Sequence, residues 1–200
     1  MKNLTYSAGG VKHAFWFPEF RKEISMLAEG KTTEEIKKLC LEDNLFGAST
    51  TARAKMVYLT VTARIMELDK SIYPIFQSAD LATQKLINLT AVMAHDRLFF
   101  EFVYEVVKEK ILIGAEDLSD SDYRIFFRNK QVQDEKVAAW TDQTIHRLTG
   151  TYKSYLLEAG ITDDGKPARK ILRPILDPIF EGWLREHDMS MVINALTGVR

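Results

Sequence analysis

Apolar residues recur at three- and four-residue spacing along nearly the whole chain, which predicts a mainly α-helical protein. Phe17-Pro18-Glu19 opens the first helix, with proline placed where no backbone donor is needed. Phe20, Ile24 and Leu27 continue its stripe to a stop at Gly30. Thr32 or Thr33 caps a second helix, whose first turn carries Glu34 and Glu35, where the helix dipole favours acid. Ile36, Leu39 and Cys40 form its inward stripe. A turn spans Asn44 to Ala48, with Gly47 free to take positive φ. Ser49 or Thr50 then caps a third helix reaching about Leu68, with Met56, Leu59 and Ile65 on its buried side. Ser71 to Phe76, which contains Pro74, reads as a bend.

Leu81 to about Ile113 is the most apolar stretch. Leu98, Phe99, Phe102, Val103, Val106 and Val107 share one helical face, so one or two core helices are expected, with a break near His95-Asp96. Gly114 to Asp120 is a polar connector. Ser119 caps the next helix, with Ile125, Phe126 and Val132 expected inward, and a short helix covers about Asp134 to Ala139. Thr141 caps a longer one that stops at Gly160. Asp163-Asp164-Gly165-Lys166 is a turn signal, and Ala168 to Leu172 is the expected return strand of a small hairpin. Helices from Pro178 to about His187 and from Ser190 to Leu196 follow, the last closed by Gly198. The resulting architecture has two helix-turn-helix units, the C-terminal one winged by a small β-hairpin, joined by core helices. The expected divisions are 1–76, 77–118 and 119–200.

The chain has 200 residues, 46% of them hydrophobic, enough for one sizeable core or two small ones. Its formal net charge of -1 means that any nucleic-acid surface must arise from charge segregation rather than overall excess. A single cysteine, Cys40, fits a reduced cytoplasmic compartment. The four histidines are scattered, so no metal-ligand spacing is present, and no metal, cofactor or small-molecule substrate is expected. No signal pattern opens the chain, and no apolar run approaches the length needed to span a bilayer.

The helix after Thr141 carries Gln143, Thr144, Arg147, Gly150, Thr151 and Ser154 on one side, opposite Ile145, Leu148, Tyr155 and Leu156. Arg and Gln suit base edges, and Ser and Thr suit phosphates. Gly150 lowers helix stability by about 1 kcal/mol relative to alanine, a cost that close approach of a ligand backbone would justify. A solvated face with a packing glycine is the alternative. Lys166, Arg169, Lys170 and Arg173 follow, with no acid between Gly165 and Leu176. In a winged helix such a segment touches phosphates by counterion release, whereas an edge strand guarded by charge is the other reading. In the N-terminal unit Thr50, Thr51, Arg53 and Arg64 are the corresponding DNA-facing candidates, set against a three-helix unit used only for packing.

His95-Asp96-Arg97 superficially resembles a catalytic triplet, but it lacks the glycine-rich loop and metal-binding companions of a kinase. A helix-capping aspartate and an arginine paired to a nearby acid explain it. Neither Glu34/Glu35 nor Asp163/Asp164 spans a substrate gap. There is no nucleophile elbow, P-loop or dinucleotide fingerprint. A non-enzymatic protein is expected.

Several segments in order resemble one family. They are Tyr6-Ser7-Ala8, Phe20-Arg21-Lys22, Leu27-Ala28-Glu29-Gly30-Lys31 and Glu34-Glu35-Ile36. Further along are Asp96-Arg97-Leu98, Phe102-Val103, Val137-Ala138-Ala139-Trp140-Thr141 and Leu156-Leu157-Glu158-Ala159-Gly160-Ile161. With these the chain resembles the BrxA family, a component of BREX bacteriophage-exclusion systems. The resemblance implies a small, helical, non-enzymatic protein that binds double-stranded DNA and works with other BREX proteins in phage defence. From the residues themselves, binding mainly through phosphates is expected. A scaffold docking another BREX subunit and a helical RNA binder are the rival readings.

Overall fold

The computed structural model describes residues 5–198. Most of these residues are helical, and the sheet among them is a two-stranded antiparallel pair. They form two compact units: Phe15–His95, and a second that joins the described residues up to Ala14 to those from Asp96 onward. The units meet in sequence at His95-Asp96, where a helix break is expected. The expected divisions at 76 and 118 follow composition, whereas the two compact units follow packing.

The first unit contains α1 (Phe17–Ala28), α2 (Thr33–Glu42), α3 (Thr51–Ile65), α4 (Ile72–Ser78) and α5 (Leu81–His95). Local chemistry fixes the starts of α2 and α3. The Thr32 hydroxyl accepts from the Glu35 N–H at 3.2 Å, and the Glu35 carboxylate accepts from the Thr32 N–H at 2.7 Å, a reciprocal capping box. Thr50 Oγ1 accepts from the Arg53 N–H at 3.1 Å. Between these helices, Asn44 exchanges two hydrogen bonds with the Ala48 backbone and closes the turn. Ile36, Cys40 and Tyr58 pack at the α2–α3 contact, and every residue from Leu86 to Met93 of α5 is buried. The segment read as a bend at Ser71 to Phe76 is α4, which begins at Ile72 and tolerates Pro74 in its first turn. The third helix ends at Ile65 rather than Leu68, and Leu59, expected inward, is exposed.

One acid points into this core. Glu23 is buried, with one oxygen accepting from the Thr62 hydroxyl at 2.5 Å and the other without a partner. Burial pushes its carboxyl up to about 7, against a partial offset from Thr62. Burial, with the Glu23 charge adding to it, pushes the Cys40 thiol up to about 12. The folded state therefore holds the Glu23 proton to higher pH than the unfolded chain does. The stability this proton confers is fully present below the unfolded value and is lost as pH rises through about 7. Glu23→Gln removes the titration. Between pH 5 and 8 the stability of the wild type relative to this variant should fall by about 2 kcal/mol, measured by urea unfolding at each pH. A constant difference would contradict the assignment.

The second unit begins with a 3-10 turn at Gly9–Lys12. After Asp96 come α6 (Arg97–Phe102), a π-helical turn (Val103–Val107) and α7 (Lys108–Leu112). Then follow β1 (Asp117–Ser119), α8 (Asp120–Gln133), α9 (Glu135–Ala138) and α10 (Asp142–Glu158). Last are β2 (Ala168–Lys170), α11 (Pro178–Glu186) and α12 (Ser190–Thr197). Asp96 is a cap, accepting from the Phe99 N–H at 3.1 Å, and Arg97 pairs with Glu101 at 2.7 Å. The core is aromatic. Phe102 stacks on Tyr123 at 4.6 Å between ring centres and meets Phe126 and Tyr152 at 5.1 and 5.5 Å. Phe99 meets Tyr152 and Tyr155 edge-on at 5.0 and 5.2 Å.

A buried ionic group tethers α8 to α6. Lys130 is 2% exposed and pairs with Glu101 at 2.5 Å and Glu105 at 2.6 Å. Burial alone would raise the Glu101 carboxyl, but hydrogen bonds from Lys130, Tyr6 and Arg97 outweigh it and hold it below its ordinary value. This alters the expected face of α8: Tyr123, Phe126, Phe127 and Lys130 point inward, while Ile125 and Val132 are exposed. The lysine takes an inward position because its partners lie there.

β2 pairs with β1 in the register Leu118↔Arg169. The segment read as a polar connector thus supplies the ladder partner. The expected hairpin reduces to a single bridge, Thr162↔Ile171, and β2 stops at Lys170. Gly198 closes α12 at φ 72°, and a Cβ there would lie 2.5 Å from Ile111 Cγ2, so only glycine fits.

Candidate nucleic-acid interface

α10 is built to hold one face on the core and one outside. Thr141 accepts from the Thr144 N–H at 3.2 Å and starts the helix. Leu148, Tyr152, Tyr155 and Leu156 are buried and fix its rotation. Helical geometry then turns Gln143, Arg147 and Gly150 to solvent, and all three are exposed. Thr144, Thr151 and Ser154 are half-buried. Thr151 Oγ1 donates at 3.3 Å to the Gly10 carbonyl, and Ser154 donates to Glu158 at 2.9 Å, so both hydroxyls serve internal contacts.

The basic segment after α10 divides in the same way. Lys166 and Lys170 are exposed. Arg169 is half-buried, donating at 2.7 Å to the Lys153 carbonyl, and Arg173, exposed over the rest of its side chain, donates at 3.0 Å to the Ile111 carbonyl. Each has part of its guanidinium spent on structure. The loop is held by Asp163, whose carboxylate accepts from the Gly165 and Lys170 N–H groups at 3.0 and 2.8 Å. Those backbone bonds keep its carboxyl below the ordinary range.

Sequence periodicity missed the flank of α10 that faces α8. Arg124 of α8 and His146, Gly150 and Lys153 of α10 line one shallow groove, together with Asp120 and Asp142. Asp120 is ion-paired to Lys153. Arg124 and Arg128 are one helical turn apart and exposed. A second depression, lined by Lys153, Lys166 and Arg169, shares Lys153 and Asp120 with the first. The one-turn spacing of Arg124 and Arg128 was a signal available in the sequence, but the approach of α8 to α10 was not.

In the first unit Thr50, Thr51 and Arg53 are exposed at the start of α3, the Thr50 hydroxyl being engaged as the cap. Arg64 does not join them. It is 2% exposed, donates at 3.2 Å to the Phe15 carbonyl and lies 5.6 Å from the Trp16 ring centre. Asn88 donates to the same carbonyl at 3.1 Å. Trp16 adopts a left-handed conformation, φ 51°, and these bonds satisfy the carbonyl just before it. Arg64 is thus a structural residue of this core, because a nearly fully buried side chain cannot reach a duplex.

The fold is that of a small, mainly helical protein carrying a short β-pair, and the family model for BrxA matches residues 4–188. The chain belongs to the BrxA family of BREX phage-defence systems. It is 37% identical to the BREX protein BrxA of Bacillus cereus (strain H3081.97), over 88% of each chain. It is 24% identical to the BREX protein BrxA of Escherichia coli O9:H4 (strain HS), over 92% of this chain and 87% of that one. Its fold is similar to the crystal structure of an uncharacterized protein from Magnetospirillum magneticum. The TM-score is 0.81 at 18% identity, covering 97% of this chain and 99% of that one. No helix among the described residues is long and apolar enough to cross a membrane.

Proposed function

We propose that this BrxA-family protein is a non-enzymatic, double-stranded DNA-binding component of its BREX system, acting in the cytoplasm with other BREX proteins. In this reading α8, α9 and α10 with the β-pair and the 163–173 loop work as a winged helix-turn-helix. α10 lies toward the groove and the loop lies on the phosphates. One observation carries the reading. Arg147, Lys166 and Lys170 are exposed, and none has a carboxylate within ion-pair distance among the described residues. Unpaired cations on a nearly neutral chain are available to replace the counterions of a duplex. Few side chains on this surface offer bidentate base readout, so sequence preference is modest.

If about six phosphates are engaged, log affinity falls against log salt with a slope near −5. Fluorescence anisotropy of a labelled duplex across a salt series measures it, and a flat response would rule out phosphate-driven binding. A second reading has its own support: Leu172, Ile175 and Ile179 are exposed just past the basic loop, Ile175 at 93%, and they suit a protein partner. Duplex binding by the purified chain alone separates the two.

A further inference from the structure

We infer that the groove between α8 and α10 seats one stretch of sugar-phosphate backbone, with Gly150 as its point of closest approach and Arg124 as its clamp. The inference rests on the DNA-binding reading above and deepens it by adding the α8 flank of α10, with Arg124, to the contact surface.

Gly150 is the starting point. It lies in the middle of a 17-residue helix and is exposed. A Cβ built on it meets no atom within 4 Å. No internal packing therefore requires glycine, and none of the left-handed geometry that favours glycine is present here, unlike Gly160, at φ 77°. Mid-helix glycine without an internal reason fits an external one: a ligand whose own backbone comes against the helix. The groove around Gly150 supplies the chemistry. Arg124 stands on the α8 side with no carboxylate partner among the described residues, and Lys153 stands one turn from Gly150. The groove continues through Lys153 into the depression lined by Lys166 and Arg169. A phosphodiester chain leaving Gly150 in that direction meets Lys166 and Arg169, beside Asp120 and Asp164. Two acids share the groove. Asp120 is tied to Lys153, and Asp142 sits in the first turn of α10. Their charge confines a phosphate to the stretch between Arg124 and Gly150.

The test uses the full chain and a short fluorescent duplex of mixed sequence. Gly150→Ala should raise Tm by about 2–4 °C, because alanine is the better helix former and the space is open. The same change should weaken duplex binding, and the larger Gly150→Gln should weaken it further, to about tenfold. Arg124→Ala should leave Tm unchanged and lower the salt slope by about 1. Stabilised Gly150 variants that bind like wild type, alongside a wild type that does bind duplex, overturn this inference and leave the DNA-binding reading standing. A wild type that binds no duplex removes that reading itself. Gly150 variants that lose affinity while gaining Tm support the groove, since damage to the fold would lower both.

Discussion

Lys166→Glu with Lys170→Glu is expected to reduce duplex affinity about 100-fold at moderate salt while leaving Tm unchanged. Both side chains are exposed and neither forms an ion pair or side-chain hydrogen bond among the described residues, so in the proposed DNA-binding reading charge reversal removes two phosphate contacts and adds two repulsions. The loss should be uniform across DNA sequences, because phosphates carry no base identity. The salt slope should fall by about 2, one for each contact. Arg169 and Arg173 each hold a backbone carbonyl, so their replacement would mix folding with binding. Anisotropy titrations at several salt concentrations, with thermal unfolding in parallel, read both quantities. Wild-type affinity in the double variant would take the 163–173 loop out of the interface.

Phe102→Ala should destabilise the second unit by about 3–5 kcal/mol. Phe102 is fully buried and contacts Tyr123, Phe126 and Tyr152 at centroid distances of 4.6–5.5 Å. Truncation removes transfer free energy and leaves a cavity that three rigid rings cannot close. Native domains have only about 5–15 kcal/mol in reserve, so this one change consumes a large share of it. In the proposed reading duplex binding should fail together with stability, because Tyr152 is one of the four buried side chains that fix which face of α10 is outside. Urea unfolding measures the loss. A drop below about 1 kcal/mol would mean that the aromatic cluster repacks around the missing ring.

Much of the fold was legible because it rests on local chemistry. The Thr32, Thr50, Asp96, Ser119, Thr141 and Asp177 caps act within three residues of themselves, so the residues announce them. Faces were legible where one side of a helix is apolar, as in α10 with Leu148, Tyr155 and Leu156. Periodicity failed where a polar side chain is buried against a distant partner. Lys130 displaced Val132 as an inward residue because Glu101 and Glu105 receive it, and Arg64 left the candidate DNA surface for the Phe15 carbonyl. The strand pairing was illegible for a similar reason: Asp117–Ser119 is too short and polar to read as a strand until Ala168–Lys170 lies beside it.

The candidate site was legible to a lesser extent. Gln143, Arg147, Lys166 and Lys170 are where helical and turn chemistry place them, exposed. Arg124 and Lys153 entered only through the approach of α8 to α10. The sequence by itself determined a mainly helical chain, its helix ends and the outer face of α10, since each depends on neighbours three or four residues away. Only the tertiary structure decided which cations are spent on internal carbonyls and carboxylates and which stay free. A guanidinium or ammonium on a long flexible stem takes its role from whatever acceptor folding brings within reach, not from its position in the chain.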